Sequence, residues 1–282
     1  MSNLEFTKMH GLGNDFIVIE DFEAELEPEE LSEMAEEYCR RNFGIGANDI
    51  LYVGSSNEAD AEMRIFEPDG TEADMCGNGI RCVAHYLYQN GFDFPLDIET
   101  QAGIRTIERT SGLYHVDMGC CSFARSEFTV DDSEEPLLQE EIEVGGEVFE
   151  ISGVNTGEPH LVVIQDDISE TDVSELGRRI RNADFVPESG ANVNFVEIIS
   201  EDRIRIRTYE RGVEEETLAC GTGATASAII AHRLRGMQNP ITVETRGGEV
   251  EIDIEENQAA MTGPAETVYS GELQTDIIGE QE

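Results

Sequence analysis

Two cysteines, Cys76 and Cys220, occur in the same short pattern, Cys-Gly-x-Gly, at two places in the sequence. Each pattern opens a run with helical spacing of its apolar residues, over residues 80–88 and 224–234. The spacing predicts that each cysteine lies at a helix N-terminus, where unpaired N–H groups and the helix dipole favour a thiolate. The flanking glycines allow a ligand to approach the backbone closely.

The cysteine pattern is part of a longer internal repeat. Cys76 and Cys220 are 144 positions apart, and three further segments recur in the same order at a spacing of 144 or 143. The matched segments are Gly46-Ala47-Asn48 with Gly190-Ala191-Asn192, Gly13-Asn14-Asp15-Phe16 with Gly157-Glu158-Pro159-His160, and Arg64-Ile65-Phe66-Glu67 with Arg207-Thr208-Tyr209-Glu210. We interpret the repeat as the duplication of a half-chain.

A duplication predicts two similar lobes, each contributing one cysteine to a shared cleft, since ligand sites favour domain interfaces. The predicted N-terminal lobe covers residues 1–118 and carries Cys76, and the C-terminal lobe covers 119–264 and carries Cys220. Residues 265–282 are predicted to return to the first lobe, and the acidic tail after Thr275 is expected to be frayed.

The elements that must position the cysteines give an α+β fold. Helical spacing is found at residues 28–41 and 173–181, besides the two cysteine helices. Apolar runs and alternation predict strands within residues 5–20, 50–53, 61–66, 96–118, 142–144, 148–151, 161–164, 193–198, 203–209, 241–244, 250–254 and 265–273. We predict two pseudo-symmetric lobes, each a curved and mostly antiparallel sheet wrapped around a central helix.

The charge balance is extreme. The chain has 61 acidic and 18 basic residues, a formal net charge of −43, and Lys8 is the only lysine. Such a surface repels nucleic acid and anionic membranes, so neither is expected as a partner. Molar salt would relieve the self-repulsion because the Debye length falls to about 3 Å. We interpret the composition as that of a cytosolic protein from a halophile.

The six cysteines are expected to stay in a reducing compartment. The sequence shows no signal peptide and no apolar segment of about 18 residues, so we expect a soluble, cytoplasmic protein. Neither a Cys-x-x-Cys nor a His-x-x-x-His pair is present, which argues against structural zinc. We expect Cys82, Cys120 and Cys121 to be buried packing residues.

Several motifs, in order, resemble those of the diaminopimelate epimerases, and the similarity covers nearly the full length. They are Met9-His10-Gly11-Leu12-Gly13-Asn14-Asp15-Phe16, Met75-Cys76-Gly77-Asn78-Gly79-Ile80-Arg81-Cys82, Gly157-Glu158-Pro159-His160, Tyr209-Glu210-Arg211-Gly212 and Ala219-Cys220-Gly221-Thr222-Gly223. The resemblance implies two lobes of β-strands, each enclosing a helix. It also implies interconversion of LL- and meso-2,6-diaminopimelate in lysine biosynthesis, with no cofactor and no metal.

Inversion of a stereocentre needs a base and an acid on opposite faces of Cα, and a thiolate and a thiol at two helix entries would supply them. Backbone N–H groups at Gly77, Asn78, Gly221 and Thr222 are placed to stabilise the substrate carboxylate as charge develops.

The resemblance further implies roles for single side chains around the substrate. Asn14, Asn78 and Asn192 would hold its polar groups, and Arg211 would bind the distal carboxylate. His160 and Glu210 would flank the reacting ammonium and tune the thiols.

The sequence departs from the family at three positions. Glu67 and Glu158 stand where the family usually has asparagine, at positions that hold the distal amino-acid group, and Asn48 replaces the usual aspartate. Glu67 could accept a hydrogen bond from the distal ammonium. Glu158 would repel a substrate carboxylate unless it points away or pairs with Arg211.

Three other functions are compatible with the sequence. The nearest is a cofactor-independent racemase or epimerase of another amino acid on the same fold, such as one resembling proline racemase. A second is an inactive protein that binds a dipolar ligand, and a third is a redox sensor in which Cys76 and Cys220 form a disulfide. In the main hypothesis the partner is a small amino-acid substrate, and we expect a homodimer.

Overall fold

The computed structural model describes residues 3–131, 133 and 135–274. The predicted frayed tail after Thr275 lies outside the described residues. The chain divides into two compact units, Met1–Val116 with Gly263–Glu282, and Asp117–Thr262. No helix in the described part of the chain is long and apolar enough to span a membrane.

The described residues of the first unit form two helices and nine strands, and the eighth strand continues across the boundary of the unit. The helices are α1 (Pro28–Tyr38) and α2 (Gly77–Gln89), and the strands are β1 (Asn3–Gly11), β2 (Asn14–Asp21), β3 (Asp49–Gly54), β4 (Ala61–Phe66), β5 (Glu72–Ala73), β6 (Leu96–Thr100), β7 (Gly103–Thr110), β8 (Leu113–Cys120) and β18 (Glu266–Gln274).

The second unit has the corresponding set of elements. The helices are α3 (Val173–Arg181) and α4 (Gly221–Arg235), with a short 3-10 helix at Arg125–Glu127, and the strands are β9 (Glu140–Val144), β10 (Glu147–Asn155), β11 (Pro159–Gln165), β12 (Asn192–Ser200), β13 (Arg203–Glu210), β14 (Glu215–Thr217), β15 (Ile241–Thr245), β16 (Gly248–Glu255) and β17 (Gln258–Gly263).

Strand pairing follows the same order in both units. In the first, β1 pairs with β18 and β2, then β2–β3, β3–β4, β4–β5, β4–β6, β6–β7 and β7–β8 follow, with β2–β3 and β4–β6 parallel and the others antiparallel. In the second, β10 pairs with β9 and β11, then β11–β12, β12–β13, β13–β14, β13–β15, β15–β16 and β16–β17 follow, with β11–β12 and β13–β15 parallel. The predicted α+β fold is confirmed.

The pairing register corrects one match in the predicted repeat. Asn192 pairs with His160, and the residue that pairs with Phe16 in the first unit is Asp49, not Asn48. The sequence match placed Asn48 against Asn192 because the glycines before them align, whereas the strands begin one residue out of step. The structural spacing is therefore 143 along β3 and β12.

Each sheet packs a different helix on each face, because successive strand residues point to opposite sides. In β3, Ile50 and Tyr52 join the core beneath α1, while Leu51 faces α2 at Gly79. In β12, Val193 and Phe195 join the core beneath α3, while Asn194 faces α4 at Gly223. The cysteine helices thus lie on one face of their own sheets.

Candidate active site

In the first unit, Cys76 is the N-cap residue of α2, with extended backbone angles (φ −137°, ψ 118°). The N–H of Gly79 donates to its sulfur at 3.4 Å, and the side-chain amide of Asn14 lies 3.8 Å from the same sulfur. The position at the helix N-terminus is therefore as predicted. Helix N–H groups and the dipole favour the thiolate form there.

Asn14 reaches Cys76 from the start of β2, beside a charged cluster. Asp15 forms ion pairs with Lys8 at 2.5 Å and with Arg41 at 2.7 Å. Burial alone would raise the pKa of Asp15, but the hydrogen bonds and charges of Arg41 and Lys8 hold this pKa below its usual value. The cluster anchors the β1–β2 turn that carries Asn14. The Oδ1 atom of Asn14 is buried and has no hydrogen-bond partner among the described residues.

A buried arginine lies in the second turn of α2, next to the cysteine. The guanidinium of Arg81 donates to the carbonyl oxygens of Gly77 at 3.0 Å and Pro264 at 3.2 Å, and to Oδ1 of Asn78 at 2.7 Å. Because a guanidinium only donates, the contacting atom of Asn78 must be oxygen. The donor end of this amide therefore points away from Arg81.

Glu67 lies in the turn between β4 and β5 and is exposed. Its carboxylate accepts a hydrogen bond from the Thr71 hydroxyl at 2.8 Å. Glu67, which was predicted to bind the distal group of the substrate, therefore lies on a surface turn and is hydrogen-bonded to a residue of the same turn.

In the second unit, Cys220 is the N-cap residue of α4 (φ −117°, ψ 115°) and is buried. The Thr222 hydroxyl lies 3.4 Å from its sulfur, and the carbonyl of Thr222 accepts from the Thr156 hydroxyl at 3.0 Å. Gly221 is the first helical residue, so the N–H groups of Gly221 and Thr222 lie in the helix's first turn, as predicted.

His160 is fully buried and lies in a hydrogen-bonded chain of side chains. Nδ2 of Asn194 lies 3.0 Å from His160 Nδ1 and donates to the Leu161 carbonyl at 3.3 Å, while Oδ1 of Asn194 accepts from the Thr208 hydroxyl at 2.9 Å. Burial, and to a lesser extent the charge of Arg211, lowers the pKa of His160 to about 3. The imidazole is therefore neutral near pH 7.

The Asn194 amide lies directly against the first turn of α4. A Cβ atom added to Gly223 would be 2.6 Å from Asn194 Oδ1 and 3.3 Å from the Cys220 sulfur. Only a glycine allows the helix to approach this closely. In the first unit the corresponding contact, between Gly79 and the Leu51 side chain, would be 3.1 Å and is made with the end of a flexible side chain.

Arg211 is held by three groups of its own unit. Its backbone N–H donates to Oδ1 of Asn192 at 2.8 Å, and its guanidinium donates to the Ser189 carbonyl at 3.3 Å and to the carboxylate of Glu158. Glu158 and Arg211 are part-exposed. The pairing that would reconcile Glu158 with a carboxylate substrate is thus present.

Glu210, next to Arg211, accepts a hydrogen bond from the Thr217 hydroxyl at 2.7 Å. Within the second unit the structure links His160 to the start of α4 through Asn194, and Asn192 and Glu158 to Arg211. Arg81, Asn194 and Thr208 are not among the predicted site residues. The available signals were an arginine inside an apolar helix and an asparagine inside the apolar run of residues 193–196.

The prediction that the remaining cysteines are buried is wrong for Cys120. Cys82 and Cys39 are buried and Cys121 is half-buried, but Cys120 is exposed at the end of β8. Alternate residues of β8 are buried as far as Met118, and Gly119, with a φ of 81°, interrupts this alternation just before Cys120.

Comparisons with known proteins agree with this architecture. The sequence model of the family Diaminopimelate epimerase matches residues 6–123 and 152–268. The diaminopimelate epimerase of Archaeoglobus fulgidus is 44% identical, with 98% of each chain covered, and that of Methanothrix thermoacetophila is 42% identical, with 99% of each covered.

Solved structures with lower sequence identity share the fold. A phenazine biosynthesis protein of the PhzF family from Enterococcus faecalis has a TM-score of 0.71 at 18% identity, covering 97% of this chain and 100% of its own. A hydroxyproline epimerase from Agrobacterium vitis has a TM-score of 0.67 at 14% identity, covering 97% and 91%.

Proposed function

The chain belongs to the diaminopimelate epimerase family, a family of isomerases, and from this premise we propose that it interconverts LL- and meso-2,6-diaminopimelate with Cys76 and Cys220 as the acid-base pair. The observation that carries the proposal is that the two cysteines cap equivalent helices, α2 and α4, of two units with the same strand order. The reaction belongs to lysine biosynthesis.

The proton transfers balance between the two sulfurs. The thiolate of one cysteine takes the proton from Cα and becomes a thiol, while the thiol of the other cysteine gives its proton to the opposite face of Cα and becomes a thiolate. The reverse reaction exchanges the roles. The mechanism requires Cys76 and Cys220 to reach opposite faces of one carbon atom.

The carbanion needs stabilisation from the protein, since the proposal uses no electron-withdrawing cofactor. The N–H groups at the first turns of α2 and α4, from Gly77, Asn78, Gly221 and Thr222, would donate to the substrate carboxylate as it gains charge. The Asn78 amide, whose oxygen accepts from Arg81, would supply its nitrogen as a side-chain donor.

The distal end of the substrate carries a carboxylate and an ammonium, and both have complementary charges here. Arg211 would bind the carboxylate, and Glu158, next to it, would accept from the ammonium. Glu67 would add a second acceptor, and Asn14 and Asn192 would hold polar groups nearer the reacting carbon. Glu210, held by its hydrogen bond from Thr217, would flank the reacting ammonium.

A second candidate is the epimerisation or racemisation of another amino acid by the same two cysteines. It is favoured by the Glu158–Arg211 pair, because a carboxylate already placed on the arginine changes the charge presented to a substrate. The substrate panel described below separates the two candidates.

We further propose that the protein is a cytoplasmic homodimer of a salt-adapted cell. The formal charge of −43 supports the salt adaptation. Val268 and Tyr269 on β18, 55% and 46% exposed, are apolar side chains that a second copy could cover. Light scattering at molar salt measures the oligomer, and a monomeric mass at micromolar concentration would contradict this part of the proposal.

The function is tested by incubating the full chain with LL-diaminopimelate in deuterated buffer, at molar salt with a reductant. We expect deuterium at one α-carbon together with the meso isomer, and no comparable exchange in a panel of other amino acids. Exchange only in another amino acid would support the second candidate. No exchange in any substrate would contradict both.

The two cysteines are tested by Cys76→Ala and Cys220→Ala, with the exposed Cys120→Ala as the matched control. Each of the first two should abolish epimerisation, whereas the control should keep it. A single mutant can still eliminate the halide from a halogenated substrate analogue, because elimination needs only one base. Full epimerisation by either Cys76→Ala or Cys220→Ala would contradict the two-base mechanism.

A further inference from the structure

We propose that His160 acts as a neutral hydrogen-bond donor, through Nε2–H, to the carboxylate of the bound amino acid, and that Asn194 is the positioning residue that fixes this tautomer. The inference deepens the proposed function and rests on it. It makes His160 a hydrogen-bond donor rather than a proton acceptor. It also gives a role to Asn194, which was not expected to take part in the reaction.

The orientation of the Asn194 amide follows from its neighbours. The Leu161 carbonyl can only accept, so the amide atom 3.3 Å from it must be the nitrogen. The other end, 2.9 Å from the Thr208 hydroxyl, is then the oxygen. The same nitrogen lies 3.0 Å from His160 Nδ1 and can only donate to it, so Nδ1 carries no proton.

A neutral imidazole without a proton on Nδ1 must carry it on Nε2. Burial keeps the ring neutral. The positive charge of Arg211, in the β13–β14 turn, also disfavours protonation of the ring. Glu158, two positions before His160 on the chain, is paired with that arginine. On the helix side, Asn194 contacts the first turn of α4, whose N-cap residue is Cys220.

The fold itself does not require the hydrogen-bonded side chains of His160, Asn194 and Thr208, since the first unit lacks such a set at the equivalent positions. By strand register, the counterparts of His160, Asn194 and Thr208 are Phe16, Leu51 and Ile65. All three are buried apolar residues in the same positions of the same sheet. Since burying polar groups is unfavourable unless they are paired, the polar set in the second unit has a purpose other than packing.

The Nε2–H group of the neutral ring needs a hydrogen-bond acceptor. His160 Nε2 is buried and has no hydrogen-bond partner within the described residues. An N–H group cannot accept from an ammonium, so the reacting ammonium is excluded as its partner. The substrate carboxylate accepts, and it gains negative charge as Cα loses its proton, so a donor fixed in advance stabilises the transition state more than the ground state.

The tautomer is measured directly by two-bond ¹H–¹⁵N NMR on the full chain labelled with ¹⁵N-histidine, with His160→Gln to assign the signal among five histidines. We expect the Nε2–H form and no titration between pH 5 and 9. An Nδ1–H form, or a titration midpoint above pH 5, would overturn the inference. The measurement needs no substrate, so it stands apart from failure of the proposed function.

The positioning role is tested by Asn194→Asp, which keeps the shape of the side chain but removes its N–H donor. An aspartate favours a proton on Nδ1, so the ring's tautomer should reverse and kcat should fall by more than tenfold, with KM changing less. Thr208→Val, which leaves the bond between Asn194 and His160 in place, should keep the Nε2–H form. A reversed tautomer with unchanged kcat would show that the proton position does not matter and would overturn the proposal.

Discussion

The guanidinium of Arg211 donates a hydrogen bond to the carboxylate of Glu158, so the residue proposed to bind the distal carboxylate already holds an acidic side chain. A distal group with both charges can share this pair, its carboxylate on the arginine and its ammonium on the glutamate. A ligand with only the carboxylate must compete with Glu158.

Glu158→Gln should therefore weaken the preference for diaminopimelate over 2-aminopimelate, which lacks the distal ammonium. We expect the ratio of the two kcat/KM values to fall by roughly tenfold, the size of one charge-assisted hydrogen bond at a part-exposed site. Glu256→Gln, in the turn after β16, is the matched control. An unchanged ratio would mean that Glu158 does not contact the substrate.

The glycines at the two cysteine helices should differ in their tolerance of alanine. Gly223→Ala would place Cβ 2.6 Å from the Asn194 oxygen, which one hydrogen bond from Thr208 holds in place. Gly79→Ala would place Cβ 3.1 Å from the end of the Leu51 side chain. Alanine is intrinsically better than glycine in a helix by about 1 kcal/mol, which offsets part of the cost at Gly79.

We expect Gly223→Ala to lower both the unfolding midpoint and kcat, and Gly79→Ala to have the smaller effect on each. Thermal unfolding at molar salt and the exchange assay measure the two quantities. Equal effects at both positions would argue against a special role for the contact between α4 and Asn194.

Arg81 should favour the thiolate of Cys76, since its buried positive charge interacts with that sulfur. Cys82, also on α2, stays neutral because burial raises its pKa strongly. In a Cys220→Ala background, Arg81→Met should slow alkylation of Cys76 by iodoacetamide at pH 7 by ~10-fold, while Arg81→Lys should restore part of the rate.

The alkylated residue is identified by mass spectrometry, and the unfolding midpoint of each variant checks that it has folded. A folded Arg81→Met protein that reacts as fast as its parent would show that the arginine serves packing alone.

The sequence predicts the parts of the fold that have strong local signals. Glycine and cysteine spacing gives the starts of α2 and α4 to within a few residues of the observed Gly77 and Gly221, and apolar stripes give α1 and α3. Strand β17 was missed because its run of Gln, Ala, Ala, Met and Thr has weak strand propensity, and β5 and β14 were missed because they are only two and three residues long.

The site contacts were harder to predict, since they depend on pairing between distant strands. Asn194 is recognisable in the sequence only as a polar residue within an apolar strand, and its three partners come from β11 and β13. Similarly, the partners of Arg81 include Pro264, which is 183 positions away along the chain. Local patterns contain no information on such separations.

The buried neutral imidazole of His160 should make folding sensitive to acid. Its pKa is about 3 in the folded chain and about 6.5 when exposed, so the unfolded chain binds one more proton between these values. The stabilisation is complete above pH 6.5 and is lost as the pH falls toward 3, with a slope of at most about 1.4 kcal/mol per pH unit.

His160→Gln removes this titration, so the difference in unfolding free energy between the wild type and the variant should shrink as the pH falls from 7 to 4. Denaturant unfolding at molar salt measures both proteins across this range. Curves that remain parallel would mean that the folded and unfolded imidazoles bind protons alike.

Salt should stabilise the folded chain by screening its own charge. With 61 acidic and 18 basic residues, the compact state concentrates negative charge that the unfolded chain can spread out. We expect the unfolding midpoint to rise steeply between 0.1 and 1 M KCl, where the Debye length falls from about 10 to about 3 Å, and to level off above that.

Tetramethylammonium chloride, whose cation coordinates carboxylates poorly, is the control for screening alone. If it fails to reproduce the rise, bound potassium rather than screening accounts for the effect; a midpoint independent of both salts would contradict the interpretation of a salt-adapted surface.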